Sequence, residues 1–158
     1  MTAAADLLAE LGRRGWTLAV AESLTGGALA DGIVGVPGAS AVFRGGIVAY
    51  ATDLKTALLG VDSGLLALRS PVDPEVATRM AAGVRVACGA DVGIATTGVA
   101  GPDPQDGHPV GEVHVAVVTP AGSAVRSLRL AGGRPEIRSA AVAEALRLAW
   151  DTIVLESE

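Results

Sequence analysis

Trp16 to Ala21 is an apolar run, with Thr17 its one polar residue, that ends in a turn, Glu22-Ser23-Leu24-Thr25-Gly26-Gly27, and a helix-compatible segment, Ala28 to Val34, leaves that turn. A short apolar run without a polar alternate face reads as a strand buried on both sides. Such a strand needs a layer of helices above it and another below, so the run commits the chain to an α/β architecture. The turn is equally telling. A serine there sits on a rigid strand end, and the glycines let a ligand approach the backbone. The helix behind them offers unpaired N–H groups and a partial positive charge. Ser23 is therefore a candidate nucleophile, although a lone serine ahead of a helix more commonly serves as a simple cap.

The other elements follow from periodicity and punctuation. Leu7, Leu8 and Leu11 share one face of a first helix over 3–13 that ends near Gly12. The helix from Ala28 closes near Gly35-Val36-Pro37-Gly38. Phe43 to Tyr50 reads as a second strand, with Gly45-Gly46 marking a bulge or a close backbone approach. Asp53 reads as the N-cap of a short helix carrying Lys55, Leu58 and Leu59 and stopping at Gly60, after which residues 61–70 show no clear pattern. Asp73-Pro74-Glu75 is a cap followed by proline at the first helical position, and its helix runs to about Cys88, burying Val76, Met80, Val84 and Ala87. Asp91 to Thr97 is a third buried strand. The long Gly/Pro-rich loop that follows, residues 98–109, points to function rather than mere connection. Val113–Thr119 and Ala124–Leu130 flank a hairpin turn. A last helix from about Pro135 to Leu155 turns Ile137, Val142, Leu146 and Trp150 inward. With no repeat or linker, residues 1–158 are expected to form one domain, a three-layer α/β/α sandwich with a mixed, mostly parallel sheet. If the first three strands are parallel neighbours, their C-terminal ends converge on one crevice, the usual ligand position in such sheets.

Composition removes several function classes. A net charge of -5 argues against nucleic acid as a partner, while leaving room for a local arginine cluster that holds one small anion. The single cysteine, Cys88, reads as a buried core thiol, and two scattered histidines give no metal-ligand spacing, so no metal is expected. The glycine-rich stretches fit neither GxGxxG nor the P-loop, so no dinucleotide or triphosphate cofactor is expected. The first residues lack a signal-peptide pattern and no apolar run is long enough to span a membrane, so the expected location is the cytoplasm.

Of the 12 basic residues, only Lys55 is a lysine. Arginine keeps its proton in a protein, whereas a desolvated lysine can lose it and act as a base. Lys55 is thus the base candidate for Ser23, since His108 and His114 are poorly placed for a Ser-His-Asp arrangement. Tyr50, the only tyrosine, could relay a proton or pack at a strand end. The Thr97 hydroxyl and the Gly98 N–H could serve as donors to an oxyanion. Arg134 and Arg138 lie one helical turn apart after Gly132-Gly133, so both could face the same anion.

The combination of AESLTGG, GGIVAYATDLKTALLGV, TTGVAGPD with PVGEVHVAV, and a Gly-Gly-Arg before the final helix resembles the C-terminal CinA domain, the family of bacterial nicotinamide mononucleotide amidases. The resemblance runs from about Leu7 to Trp150. It implies metal-free hydrolysis of a carboxamide, with Ser23 as nucleophile, Lys55 as base, and Tyr50 and Thr97 assisting. It also implies a substrate pocket formed by Glu22, Thr25, Gly26, Gly27, Gly98, Ala100 and Gly101, with Arg134 and Arg138 on the phosphate. The chain departs from the family pattern at Leu24 and Pro104, at Arg69-Ser70-Pro71-Val72-Asp73 and at Gly132-Gly133-Arg134. It reads as a stand-alone form of the domain, and its Ala- and Leu-rich helix faces suit a homo-oligomer. The other reading the resemblance leaves open is a non-catalytic nucleotide- or protein-binding domain linked to competence or DNA damage.

Overall fold

A computed structural model describes residues 2–156. In chain order the elements are α1 (Ala3–Arg14), β1 (Leu18–Glu22), α2 (Ala28–Val34), a 3-10 turn (Ala39–Ala41), β2 (Phe43–Val48), α3 (Thr52–Leu59), α4 (Ser63–Arg69), α5 (Pro74–Cys88), β3 (Val92–Gly98), β4 (Glu112–Val118), β5 (Ser123–Arg129) and α6 (Arg134–Leu155). The five strands form one sheet in the order β2-β1-β3-β4-β5. β1 runs parallel to both β2 and β3, while β3–β4 and β4–β5 are antiparallel pairs, so only β4 points the other way. The expected sandwich is therefore correct, and the C-terminal ends of β2, β1 and β3 do lie side by side.

Alternation along the strands divides the core in two. Leu18, Val20, Val92, Ile94, Val113, Val115 and Val117 face α1, α2 and α6. Ala19, Ala21, Ala95 and Ala116 face α3, α4 and α5. The second face is almost flat, and α5 lies close upon it. A methyl group on Gly93 would run into the Ala81 carbonyl, and one on Gly83 into the Leu59 carbonyl of α3. Small residues at the contact thus set the helix–sheet distance, which is why a chain with 3% aromatic residues still packs fully.

Local signals account for most element ends. Thr2 caps α1 and left-handed Gly15, not Gly12, closes it. Asp73 accepts from the Glu75 and Val76 N–H groups ahead of Pro74, and α5 ends at Cys88 as the sequence indicates. The glycine pair in β2 does both things expected of it. The register slips between Phe43 and Gly45, and a Cβ on Gly46 would lie 3.0 Å from Val20 Cγ2.

Other expectations need correction. Residues 61–70 contain α4, capped by Asp62; Gly64 in its first turn weakens the helical signal. Ala51 occupies the N-cap of α3, and Asp53 sits inside the first turn, where its charge favours the positive helix end. Ala87 is exposed, and Cys88 is half-buried beside Gly45. The buried stripe of α6 is Ile137, Ala141, Ala145, Leu148, Ala149 and Ile153, with Leu146 also buried, while Val142 and Trp150 are only half-buried. Alanines carry this stripe because α6 packs against both the sheet and α1. Among the described residues, no helix is long and apolar enough to cross a membrane, and no group of three or more His, Cys, Asp or Glu could hold a metal ion.

Candidate active site

Beyond the end of β1 the alternation continues, sending Glu22 and Ser23 to opposite faces. Glu22 is buried on the α2 side. Its carboxylate accepts the N–H groups of Leu29 (2.8 Å) and Ala30 (3.1 Å) and the Thr25 hydroxyl (2.6 Å). Thr25 also meets Thr96 Oγ1 at 2.8 Å. The start of α2 is thus closed by the protein's own carboxylate, and the free anion-binding helix end expected there does not exist. Gly26 and Gly27 adopt positive φ (58° and 105°) to turn the chain tightly from strand to helix.

Ser23, 8% exposed, faces α3 and meets Lys55. Lys55 is 1% exposed, and its Nζ lies 3.0 Å from Ser23 Oγ, 2.7 Å from the Ala49 carbonyl oxygen and 3.3 Å from that of Tyr50. No carboxylate is among these partners. Burial pulls the lysine down from 10.5 to about 8, so a substantial fraction is neutral near physiological pH. The neutral amine has two N–H bonds. With both donated to the Ala49 and Tyr50 carbonyls, its lone pair faces the serine hydroxyl, the arrangement required of a base.

Ser23 and Lys55 open into a cavity of about 360 Å³, also lined by Tyr50, Thr97, Arg134 and the 98–105 loop. Gly98, Ala100 and Gly101 lie on its wall, whereas Glu22, Thr25, Gly26, Gly27 and Arg138 do not. Thr97 donates its hydroxyl proton to the Pro71 carbonyl (2.7 Å), so it is no oxyanion donor and offers the cavity only lone pairs. Val99 exchanges hydrogen bonds with β4 and Gly111, so the ladder turns the Gly98 N–H toward the β1 side. The Leu24 N–H, adjacent to the serine, has no acceptor among the described residues.

The two arginines part company. Arg134 lies at the cavity, donating to the Gly101 carbonyl and, at 3.3 Å, to the Tyr50 hydroxyl, which stands at the rim on a side chain 61% exposed. Arg138, one turn further along α6, clamps the Ser23 turn instead. Its Nε donates to Leu24 O (2.9 Å) and its Nη2 to Thr25 O (3.0 Å). Sequence spacing puts both on one helix face, but the Leu24–Thr25 carbonyls intercept the second. Leu24, Thr52, Pro71 and Val72 complete the lining, and no sequence signal gave any of them a role in the site.

The profile of the CinA C-terminal domain matches residues 1–153. The chain belongs to this family. The CinA-like protein of Frankia casuarinae is 56% identical over 142 residues, which cover 90% of this chain and 33% of that protein. A putative competence-damage inducible protein of Geobacillus kaustophilus is 45% identical over 132 residues, 83% of this chain and 32% of its own length. The chain thus spans about a third of the length of these curated relatives. Among solved structures, a CinA superfamily protein from Klebsiella pneumoniae superposes with a TM-score of 0.92 at 29% identity, covering 96% of each chain. A competence/damage inducible protein from Agrobacterium tumefaciens gives 0.90 at 33% identity, covering 96% of this chain and 93% of that one. In this CinA C-terminal domain the constellation of hydroxyl, buried amine and the Leu24 and Gly98 N–H groups has the parts needed for nucleophilic attack on a carbonyl carbon.

Proposed function

We propose that the chain is an amidohydrolase that converts nicotinamide mononucleotide to nicotinate mononucleotide and ammonia by a Ser/Lys mechanism. The observation that carries this reading is the buried Lys55 amine, which has no carboxylate among its hydrogen-bond partners, 3.0 Å from Ser23 Oγ. Lys55 takes the hydroxyl proton as Ser23 Oγ bonds to the carboxamide carbon, and the oxyanion develops toward the N–H groups of Leu24 and Gly98. Lys55 returns the proton to the departing nitrogen, the C–N bond breaks and ammonia leaves an acyl-serine. Water, deprotonated by the same amine, releases the carboxylate and restores Ser23. Arg134 supplies the charge for the substrate phosphate at the rim, and the cavity is within the range of about 300–1,000 Å³ typical of small-molecule sites.

The test is ammonia release from nicotinamide mononucleotide by purified protein. Wild type is expected to turn over, while Ser23→Ala and Lys55→Met lose at least about 10²-fold in kcat. Methionine is the informative replacement because it keeps an unbranched chain in a niche too closed for a guanidinium. Turnover by Lys55→Met at the wild-type rate would refute the mechanism. Binding of the nucleotide by wild type without ammonia release would leave the domain a binding module.

A further inference from the structure

We propose that Ser70, His108 and Glu112 form a second nucleophilic centre, one that accepts acyl groups from small aliphatic esters. His108 does not serve Ser23, but it has a serine of its own. Its Nε2 lies 2.9 Å from Ser70 Oγ, and its Nδ1 lies 2.9 Å from Glu112 Oε2. Serine to Nε2 and Nδ1 to carboxylate is the order in which an imidazole works as a general base. The surrounding hydrogen bonds are consistent with a single set of protons. Glu112 Oε2 also lies 2.9 Å from His114 Nε2, and His114 Nδ1 lies 2.8 Å from Ser127 Oγ. With Glu112 ionised, both imidazoles neutral and Ser127 donating, each contact has one donor. His108 then carries its proton on Nδ1 and turns the Nε2 lone pair toward Ser70. Burial pushes the Glu112 carboxyl up, but the hydrogen bonds from His114 and His108 outweigh it and hold it below the usual range, which keeps the orienting charge in place.

The backbone supports the assignment. Ser70 has φ 70°, ψ 166°, a conformation that residues other than glycine rarely adopt. Its Oγ accepts the Val72 N–H at 3.1 Å and lies 3.4 Å from the Val72 carbonyl oxygen, so the nearer acceptor for its proton is His108 Nε2 at 2.9 Å. Ser70 and His108 line a separate cleft of about 460 Å³ that also presents Leu66, Ala67, Arg69 and Thr52. Leu66 and Ala67 suit a short aliphatic acyl group. Pro71 has no N–H and that of Val72 is already used, so oxyanion stabilisation falls to the terminal nitrogens of Arg69, whose Nε is held by Asp73 at 2.9 Å, and to the first turn of α3 at Thr52, where the Ala51 N-cap makes no side-chain bond. In the reaction, Ser70 Oγ bonds to the ester carbonyl carbon as its proton passes to His108 Nε2. The alkoxide leaves with that proton. Water then cleaves the acyl-serine by the same relay, giving acid and alcohol.

The two clefts share Thr52 and Pro71 as wall residues, so the test removes Ser23 from the protein. Ser23→Ala protein is treated with an alkyl fluorophosphonate, and the adduct is mapped by peptide mass spectrometry. The expected result is a stable phosphonyl group on Ser70. Its formation should slow by about 10²-fold or more in Ser23→Ala/His108→Gln, and fall in Ser23→Ala/Glu112→Gln. Absence of any adduct at Ser70 in Ser23→Ala protein would overturn the proposal. An adduct forming there at the same rate in a folded His108→Gln protein, judged by circular dichroism, would also overturn it.

Discussion

Replacing Lys55 by methionine should change how stability depends on pH, and the structure gives the sign and size. Burial lowers the amine from 10.5 to about 8 in the folded protein. Between those values the unfolded chain binds the proton more fully than the native one, so native stability rises with pH across the window. Below about pH 8 both states are protonated and the folded protein carries the whole cost of a buried ammonium. A shift of about 2.5 units at 1.36 kcal/mol each corresponds to roughly 3 kcal/mol. Lys55→Met lacks this titration and shares every other ionisable group. Its unfolding free energy, subtracted from that of the wild type at each pH, should therefore leave a difference that climbs by roughly 3 kcal/mol in favour of the wild type between about pH 8 and about pH 10.5. Urea unfolding followed by far-UV circular dichroism measures both proteins. A difference that stays flat across the window would mean that Lys55 is not desolvated, and the basis for calling it a base would fall with it.

Other outcomes follow from the same geometry. In the proposed reaction, kcat/KM should rise as pH passes through about 8 and level off above it, because only neutral Lys55 accepts the serine proton; a profile falling there would contradict the base assignment. Arg134→Met should raise KM by about tenfold or more with kcat nearly unchanged, whereas Arg138→Met should lower kcat by loosening the Leu24–Thr25 turn; the same KM effect from both would place both guanidiniums on the substrate. Gly83→Ala should destabilise the fold by roughly 1–3 kcal/mol in thermal or urea unfolding, because its methyl meets the Leu59 carbonyl of α3.

How much of this was legible beforehand depends on the kind of signal. Helices with strong punctuation, α2 between two glycine turns and α5 behind Asp-Pro, matched closely because caps are local chemistry. The Ser23–Lys55 pair could be nominated across 32 residues because Lys55 is the only lysine in an arginine-rich chain. What escaped depends on where a side chain spends its hydrogen bonds. Glu22 and Arg138 belong to the right turn, but as its carboxylate brace and guanidinium clamp rather than as substrate contacts. The Thr97 hydroxyl is taken by Pro71, a partner 26 positions away that no periodicity indicates. Nor could spacing reveal that His108 folds back onto Ser70, since that contact depends on the path of the whole 98–109 loop.

The strand alternation that separates Glu22 from Ser23 has a consequence for how such a domain can change over time. One turn carries its reactive hydroxyl into the layer of α3 and its structural anchor into the layer of α2, with the sheet between them. Substitutions that reshape the cavity wall on the α3 side need not disturb the anchor. The α2 side can drift in its packing without moving the nucleophile, provided the carboxylate remains. Cavity wall and support are thus placed in separate compartments of the same turn, so the cavity can be remodelled for a new ligand while the Glu22–Ser23 backbone keeps its shape.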